Sequence, residues 1–241
     1  MKTDILAFGA HPDDVELCCG ATVAKMVGQG KTVVVVDLTR GELGSRGTPE
    51  LRLQEAQASA EILGLAGREN LRLADGFFQQ TPHTLLKVIA AIRHYRPEIV
   101  LANSLEDRHP DHARAAKLVR DAAFMSGLRK IETQRNHQNQ EPWRPKRVFF
   151  YIQDHALTPD FVVSVTEEQV DKKLQAMRAY GSQFFNPEDK LADPQTYISS
   201  QEFWQFVEAR LRNTGHMVGS EFGEGFQTET PLHIDNLIDL S

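Results

Sequence analysis

The segment DILAFGAHPDDVELCCG, from Asp4 to Gly20, joins an apolar run to a helix-like run through a polar turn. Residues 4–9 predict a buried strand, and residues 15–29 predict a helix. The turn between them is His11-Pro12-Asp13-Asp14. An imidazole and two adjacent carboxylates at the end of a buried strand indicate a functional site, because charged groups are costly to bury without partners.

The following 100 residues alternate strands with helices. Residues 32–38, TVVVVDL, are almost wholly apolar, which is typical of a parallel strand covered on both faces. The other predicted elements are a helix over 49–63, a short strand, a helix over 84–95, a strand over 98–102 and a helix over 111–126. This order predicts an α/β fold with a Rossmann-like, doubly wound, mainly parallel sheet.

The last 100 residues predict an elaboration of the same domain. Residues 132–145 are polar and contain proline, which indicates a surface loop. Strands are predicted over 147–152 and 161–165, and helices near 167–179 and 199–213. We therefore expect a single domain over 1–241, with a core of about 1–130 and a C-terminal elaboration of about 146–241.

Composition excludes several classes of protein. The chain has 241 residues and a net charge of −6, which argues against nucleic acid as a partner. It contains no 18-residue apolar run and no long apolar N-terminal segment, so we expect neither a membrane span nor a signal peptide. The only cysteines, Cys18 and Cys19, are neighbours and make no disulfide framework. A cytoplasmic protein is predicted.

Three polar segments follow predicted parallel strands. They are residues 11–14, residues 39–47 (TRGELGSRG) and residues 103–112 (NSLEDRHPDH). Ligands of open α/β sheets bind outside the carboxyl ends of the strands, so these segments should gather at one edge.

Two of these segments carry metal-ligand residues. His11 and Asp14 are three positions apart, and His109 and His112 repeat that spacing in a second turn, HPDH. A catalytic zinc site takes three ligands from His, Asp or Glu, and His11, Asp14 and His112 make such a set. Asp13 then serves as the general base. Two histidines and a carboxylate also suit Fe²⁺, so a non-haem Fe(II) oxygenase is an alternative, with Fe²⁺ in place of Zn²⁺.

The two motifs resemble a known family. AHPDDVE (residues 10–16) and DRHPDH (residues 107–112) are similar to the PIG-L/LmbE-type deacetylases, which are zinc-dependent and act on N-acetylglucosaminyl conjugates. LTRGELGSRGTPELRLQEA (38–56), SQF (182–184) and GEGF (223–226) resemble the subgroup that deacetylates N-acetyl-glucosaminyl L-malate in bacillithiol biosynthesis. Other members act on diacetylchitobiose, which is the alternative substrate.

The resemblance implies roles for individual residues. It implies zinc held by His11, Asp14 and His112, with Asp13 as the base. It further implies that His109 stabilises the oxyanion or protonates the leaving amine, and that Asp111 orients a histidine. Relatives of the mycothiol pathway have an oxyanion-stabilising tyrosine at the position where this chain has Asp107. We therefore assign the role of that tyrosine to Tyr197. Family members are often oligomers, including hexamers, and we expect a homo-oligomer.

Arginines crowd the predicted site despite the negative net charge. Arg46, Arg52 and Arg108 lie in or near the segments that follow the strands. Guanidinium groups bind carboxylates through paired hydrogen bonds, which predicts an anionic aglycone such as malate. A non-catalytic sugar-binding protein is a further alternative, although Asp13 argues against it, since a binder needs no base.

Overall fold

A parallel sheet forms the centre of the molecule. The computed structural model describes residues 2–187, 193–236 and 238. Strands β1 (Ile5–Gly9) and β2 (Val33–Thr39) are buried along their whole length and pair in parallel. Their β-branched and apolar side chains pack on both faces of the sheet, as the sequence predicts for central strands.

Helices and further strands follow in the predicted alternation. They are α1 (Asp14–Gly28), α2 (Pro49–Leu63), β3 (Gly67–Leu73), α3 (Pro82–Tyr95), β4 (Ile99–Ala102) and α4 (Pro110–Met125). Thr48 caps α2 and Thr81 caps α3, and each helix has proline at its start. The predicted α/β fold class is confirmed.

The C-terminal elaboration extends this sheet and covers one of its faces. It consists of β7 (Arg147–Tyr151), β8 (Phe161–Val165), α5 (Glu167–Arg178), α6 (Gln201–His216) and β9 (Phe222–Gln227). Strand β7 pairs in parallel with β4, whereas β9 is antiparallel to both β7 and β8. Apolar residues of α5, α6 and β9 form a core cluster that also includes Ala21 of α1 and Ala56 of α2.

The chain order places a switch point beside β1. The seven strands lie in the order β3-β2-β1-β4-β7-β9-β8. The connections leave β1 for β2 on one side and return to β4 on the other side. The carboxyl ends of β1 and β4 therefore flank the crevice in which such sheets bind ligands.

Two features differ from the sequence prediction. The predicted loop over 132–145 contains a short hairpin, β5 (Gln134–Arg135) with β6 (Gln138–Asn139). Strand β9 is not predicted by the sequence, because FGEGFQ carries two glycines, which are poor strand formers. Gly223 is required there by close packing, since a Cβ on it would lie 2.6 Å from Cγ1 of Val162.

Over the described ranges 2–187, 193–236 and 238, none of the helices combines the length and the apolar character needed to cross a bilayer.

Candidate metal centre

The turn after β1 is closed by its own side chains. The amide of His11 donates to Oδ2 of Asp14 at 3.0 Å. Asp13, which precedes the first turn of α1, has φ 118, a left-handed conformation that is uncommon for residues other than glycine. Such backbone conformations cost about 1–3 kcal/mol and persist where the surroundings enforce them. The turn thus holds both carboxylates in fixed positions.

The second turn, before α4, is built in a similar way. Nδ1 of His109 accepts a hydrogen bond from the amide of Asp111 at 3.2 Å, so His109 caps its own helix. Oδ1 of Asp107 lies 2.8 Å from Nδ1 of His112 and accepts from the amide of His109. The ring of His112 is therefore held with Nε2 directed away from Asp107.

The structure brings the three predicted metal ligands together. Nε2 of His112 lies 3.2 Å from Oδ1 of Asp14, and Nδ1 of His11 lies 3.7 Å from Oδ2 of the same residue. The His11, His109 and His112 rings also offer nitrogens within 4.8 Å of one another. Nitrogen and carboxylate donors at this spacing form a His/Asp metal-binding arrangement.

Carboxylates contact one ring nitrogen of each of the two proposed ligand histidines, His11 and His112. Nε2 of His11 lies 3.0 Å from Asp75 and 3.4 Å from Asp111, and Asp107 contacts His112. This is the arrangement by which proteins fix the ring orientation of metal-ligating histidines. The chemistry of the donor set therefore fits a divalent cation. His11, Asp75 and Asp111 form a second group of clustered donors behind the first.

Two amide side chains hold the carboxylate of Asp14. Nδ2 of Asn103 donates to Oδ2 at 2.9 Å, and Nε2 of Gln153 donates to Oδ1 at 3.2 Å. The two amides also bond to each other, through Nδ2 of Asn103 and Oε1 of Gln153 at 3.0 Å. Asp14 is thereby fixed from β4 and β7 as well as from its own turn.

Sequence reasoning missed the roles of Asp75, Asn103, Asp107 and Gln153. All four follow the carboxyl end of a parallel strand, and this position was the signal that could have found them. Asp75 and Gln153 were overlooked because the place of β3 and β7 in the sheet could not be read from the sequence.

Burial and neighbouring charges together favour an ionised Asp14 and protonated His11 and His112. For Asp14, burial opposes ionisation, but His112 and His11 outweigh it and hold its pKa well below the usual range. Burial likewise opposes the charge on His112, yet Asp14 and Asp107 raise its pKa to about 9. Asp111 and Asp75 raise the pKa of His11 to about 10 against the same burial penalty. A cation at this site would displace those protons.

Asp13 has a different environment from Asp14. Burial raises its pKa to about 7, opposed by Arg52 and assisted by the charge of Asp14. Nη2 of Arg52 donates to Oδ2 of Asp13 at 2.9 Å and to the carbonyl of Pro12 at 2.6 Å. Gly41 makes room for this arginine: it has φ +65, and a Cβ there would lie 1.8 Å from Nη1. Arg52 therefore contacts the predicted base.

Arg46 is also directed into the protein. Its Nε donates to the carbonyl of Ser182 at 2.7 Å, and Nη1 donates to that of Pro194 at 3.1 Å. Ser182 in turn binds both carboxylate oxygens of Glu55 at 2.7 Å. These contacts join the loop after β2 to the SQF segment.

Arg108 and Tyr197 lie together at the rim. Nε of Arg108 is 3.0 Å from Oδ2 of Asp154, and its guanidinium carbon lies 4.4 Å from the centre of the Tyr197 ring. The hydroxyl of Tyr197 donates to Oδ1 of Asp154 at 3.0 Å. Tyr197 is 49% exposed.

A cavity of about 340 Å³ lies beside the two histidine turns. His11, Asp13 and His109 line it, together with Leu43, Gln183 and Ile198. A smaller cavity of about 100 Å³ adjoins it and is lined by Asp14, His112, Arg108 and Asp154. Volumes of this order accommodate small-molecule ligands.

Comparison with known proteins assigns the chain to a family. A family model described as PIG-L, GlcNAc-PI de-N-acetylase, matches residues 6–123, which include both histidine motifs. A diacetylchitobiose deacetylase of Thermococcus kodakarensis is 30% identical over 237 residues, covering 92% of this chain and 82% of the relative. The chain belongs to the PIG-L family. The resemblance seen in the two motifs is thereby confirmed.

Other relatives of the chain are named for different reactions. A probable N-acetyl-alpha-D-glucosaminyl L-malate deacetylase 2 of Bacillus anthracis is 25% identical and covers 83% of this chain. A 4-oxalmesaconate hydratase of Pseudomonas putida is 31% identical over half of the chain. The crystal structure of a conserved protein from Thermus thermophilus is 35% identical, with a TM-score of 0.85 and 98% of each chain covered. Membership alone therefore does not fix the reaction.

Replacing His112 by Ala should remove most of the bound divalent metal, because one of three ligands is lost. Metal content after dialysis, measured by mass spectrometry, tests this. His83→Ala, an exposed residue at the start of α3, is the control and should retain the metal. Full metal content in His112→Ala would contradict the ligand assignment.

The metal-free protein should lose stability as the pH rises from 6.5 to about 9. The pKa values of His11 and His112 are raised to about 10 and about 9 in the folded state, so their stabilisation is complete below 6.5 and is lost above it. Each kcal/mol lost lowers the melting temperature by about 2–4 °C. Chelator-treated protein melted across this range tests it, and a melting temperature that stays constant or rises would contradict the shifts. Metal-loaded protein should show no such loss, because metal binding requires neutral imidazoles.

Proposed function

We propose that this protein hydrolyses the acetamido group of an N-acetylglucosamine compound, using Zn²⁺ bound by His11, Asp14 and His112. The observation that carries the proposal is a second buried carboxylate, Asp13, which lines the cavity directly beside the ligand Asp14. A metal site alone needs no such group, whereas hydrolysis needs a base beside the activated water. The diacetylchitobiose and malate deacetylases among the relatives support the same reaction class.

The donor set suits catalysis. Three protein ligands leave coordination positions open, as in catalytic rather than structural zinc sites. The bound cation would supply Lewis acidity, which polarises an amide carbonyl and lowers the pKa of water. The chain's own residues then direct the proton transfers.

Asp13 accepts the proton from the attacking water. Arg52 holds one of its oxygens at 2.9 Å, which orients the other oxygen. The same carboxylate can return the proton to the amide nitrogen as the C–N bond breaks, so that a neutral amine leaves. Because the turn fixes Asp13 at φ 118, the carboxylate is positioned before the substrate binds.

His109 lines the same cavity as Asp13, and we assign it the donation of a proton. Its Nδ1 accepts from the amide of Asp111, so the neutral ring carries its proton on Nε2. Burial, followed by the charges of His11 and His112, lowers the pKa of His109, which keeps the ring neutral. A neutral Nε2–H can stabilise the developing oxyanion or protonate the amine. Tyr197 lies farther out, bonded to Asp154, and we assign it contact with the sugar.

The rim favours an uncharged aglycone. Arg46 and Arg52 bind protein groups, and the charge of Arg108 is balanced by Asp154. Glu106, beside Arg108 in the chain, has a side chain that is 75% exposed and adds negative charge there. Of the two substrates expected from the sequence, diacetylchitobiose is neutral and therefore fits this rim better. Of the three arginines expected to bind malate, Arg108 is the one at the rim, and Asp154 is its partner.

Replacing Asp13 by Asn should leave metal binding intact and lower the deacetylation rate by about 10²–10⁴. Asparagine keeps the size of the side chain but accepts no proton. Acetate release from metal-loaded protein is the measurement, and Asp121→Asn, on the outer part of α4, is the control. A rate near that of the wild type would exclude Asp13 as the base. Acetate release by the wild type separates this function from a sugar-binding protein, and absence of oxygen uptake separates it from an oxygenase.

Diacetylchitobiose should exceed N-acetyl-glucosaminyl L-malate in kcat/KM when both are assayed with the same enzyme. The Arg108→Ala variant should change the two values by similar factors, because Asp154 already neutralises Arg108. If Arg108 does bind malate, its loss should lower kcat/KM for malate alone, by roughly 10-fold or more. A malate preference that Arg108→Ala abolishes would establish the anionic substrate instead.

A further inference from the structure

Helix α1 is broken after its first helical turn, which begins at the proposed metal ligand Asp14. Cys19 has φ −138 and ψ 21, which are not helical values. Residues 14–18 form one short segment that begins at Asp14, and residues 20–28 form the rest of the helix. A single turn has few internal hydrogen bonds, so contacts from elsewhere must set its position.

One buried carboxylate from β9 caps the second segment at the break. Oε1 of Glu224 accepts from the amide of Ala21 at 3.2 Å, and Oε2 accepts from the amide of Thr22 at 2.6 Å. In an uninterrupted helix these amides would donate to the carbonyls of Leu17 and Cys18. Glu224 therefore does inside the protein what a capping side chain does at a helix N-terminus.

An arginine from α6 serves the other side of the break. Nη2 of Arg210 donates to the carbonyl of Leu17 at 3.1 Å, and Nη1 donates to the carbonyl of Gln153. Leu17 belongs to the short segment that starts at Asp14, and the side chain of Gln153 donates to Asp14. Arg210 thus links Leu17, in the segment that begins at Asp14, to Gln153, which donates to Asp14.

The charge of Glu224 is balanced by an equally buried lysine from α5. Nζ of Lys173 lies 2.6 Å from Oε1 of Glu224, and the two side chains are 1% and 2% exposed. Gly20 provides the space, since a Cβ on it would lie 3.1 Å from Cγ of Lys173. Ion pairs buried this deeply add little net stability compared with apolar packing, so stability alone does not account for the pair.

We propose that Glu224, neutralised by Lys173 and assisted by Arg210, fixes the break in α1 and is a positioning residue of the metal centre. The inference rests on the proposed function, in which Asp14 binds the metal and Asp13 acts as the base. Glu224 touches neither the cavity groups nor the metal ligands; it acts through the segment 14–18. The C-terminal elaboration is then needed for metal binding as well as for the rim.

Two variants separate positioning from charge burial. Glu224→Gln keeps the size of the side chain but presents a donor to one of the two amides, and it leaves Lys173 buried without a counter-charge. Glu224→Gln combined with Lys173→Met removes that unpaired charge while the cap remains incomplete. Ile92→Ala, in the core on the α3 side of the sheet, is the control for lost stability alone.

Zinc affinity of each metal-free variant, measured by competition with a chromophoric chelator, is the main readout. Melting temperature and hydrogen exchange in residues 10–28 accompany it. We expect zinc affinity to fall about 10–100-fold in both Glu224 variants, with faster exchange in residues 10–28. Ile92→Ala should melt earlier and still bind zinc like the wild type.

Wild-type zinc affinity in the double variant would overturn the proposal. So would a loss of affinity in Ile92→Ala that matches that of the Glu224 variants at equal loss of melting temperature. A wild type that binds zinc but releases no acetate from any N-acetylglucosamine compound would refute the proposed function and leave the role of Glu224 in metal binding standing. A wild type that binds no zinc would refute both.

Discussion

Two adjacent carboxylates, Asp13 and Asp14, are buried at the end of β1, and the protein compensates each of them in a different way. Asp14 is surrounded by two histidines and two amide side chains, which favour its ionised form. Asp13 has one cationic partner, Arg52, and burial raises its pKa. Neighbouring like charges in a site of low polarity cannot ionise equally, and the opposite shifts of the two pKa values fit the proposed roles of Asp14 in metal binding and Asp13 in proton transfer.

This compensation explains why the site depends on a parallel sheet. The partners of the two carboxylates and of His11 come from the ends of β3, β4 and β7 and from the starts of α2 and α4, which are distant in sequence. Parallel strands bring all their carboxyl ends to one edge, and the switch point beside β1 leaves a crevice there. An antiparallel sheet would place half of these segments at the opposite edge. Asp75, Asn103 and Gln153 reach the turn for this reason.

The sequence predicted what is local and missed what depends on the sheet order. The strand and helix order, the parallel core and the meeting of the two histidine turns could be predicted, because each follows from short-range patterns and one rule of topology. The roles of Gln153 and Asp75 could not be predicted, since they require knowing which strands flank β1.

Strand β9 was missed because Gly223 is there for close packing, not for strand propensity. The directions of Arg46 and Arg52 escaped because the positive φ of Gly41 and burial decide them. Arg108 was expected at the site from its segment and Tyr197 from the family resemblance, but their shared contact with Asp154 was not foreseen.

The two parts of the chain contribute different groups to the candidate site. The family match over residues 6–123 contains both histidine turns, whereas Gln153, Asp154 and Tyr197 lie beyond it. The matched part thus contains the proposed donors and the proposed base, and the C-terminal elaboration contributes Asp154 and Tyr197 to the rim and Gln153 to the support of Asp14. The relatives are named for different substrates: a diacetylchitobiose deacetylase, a probable N-acetyl-alpha-D-glucosaminyl L-malate deacetylase and a 4-oxalmesaconate hydratase. Because Arg210 of the elaboration also binds the carbonyls of Leu17 and Gln153, changes that alter specificity there are constrained by the need to keep Asp14 in place.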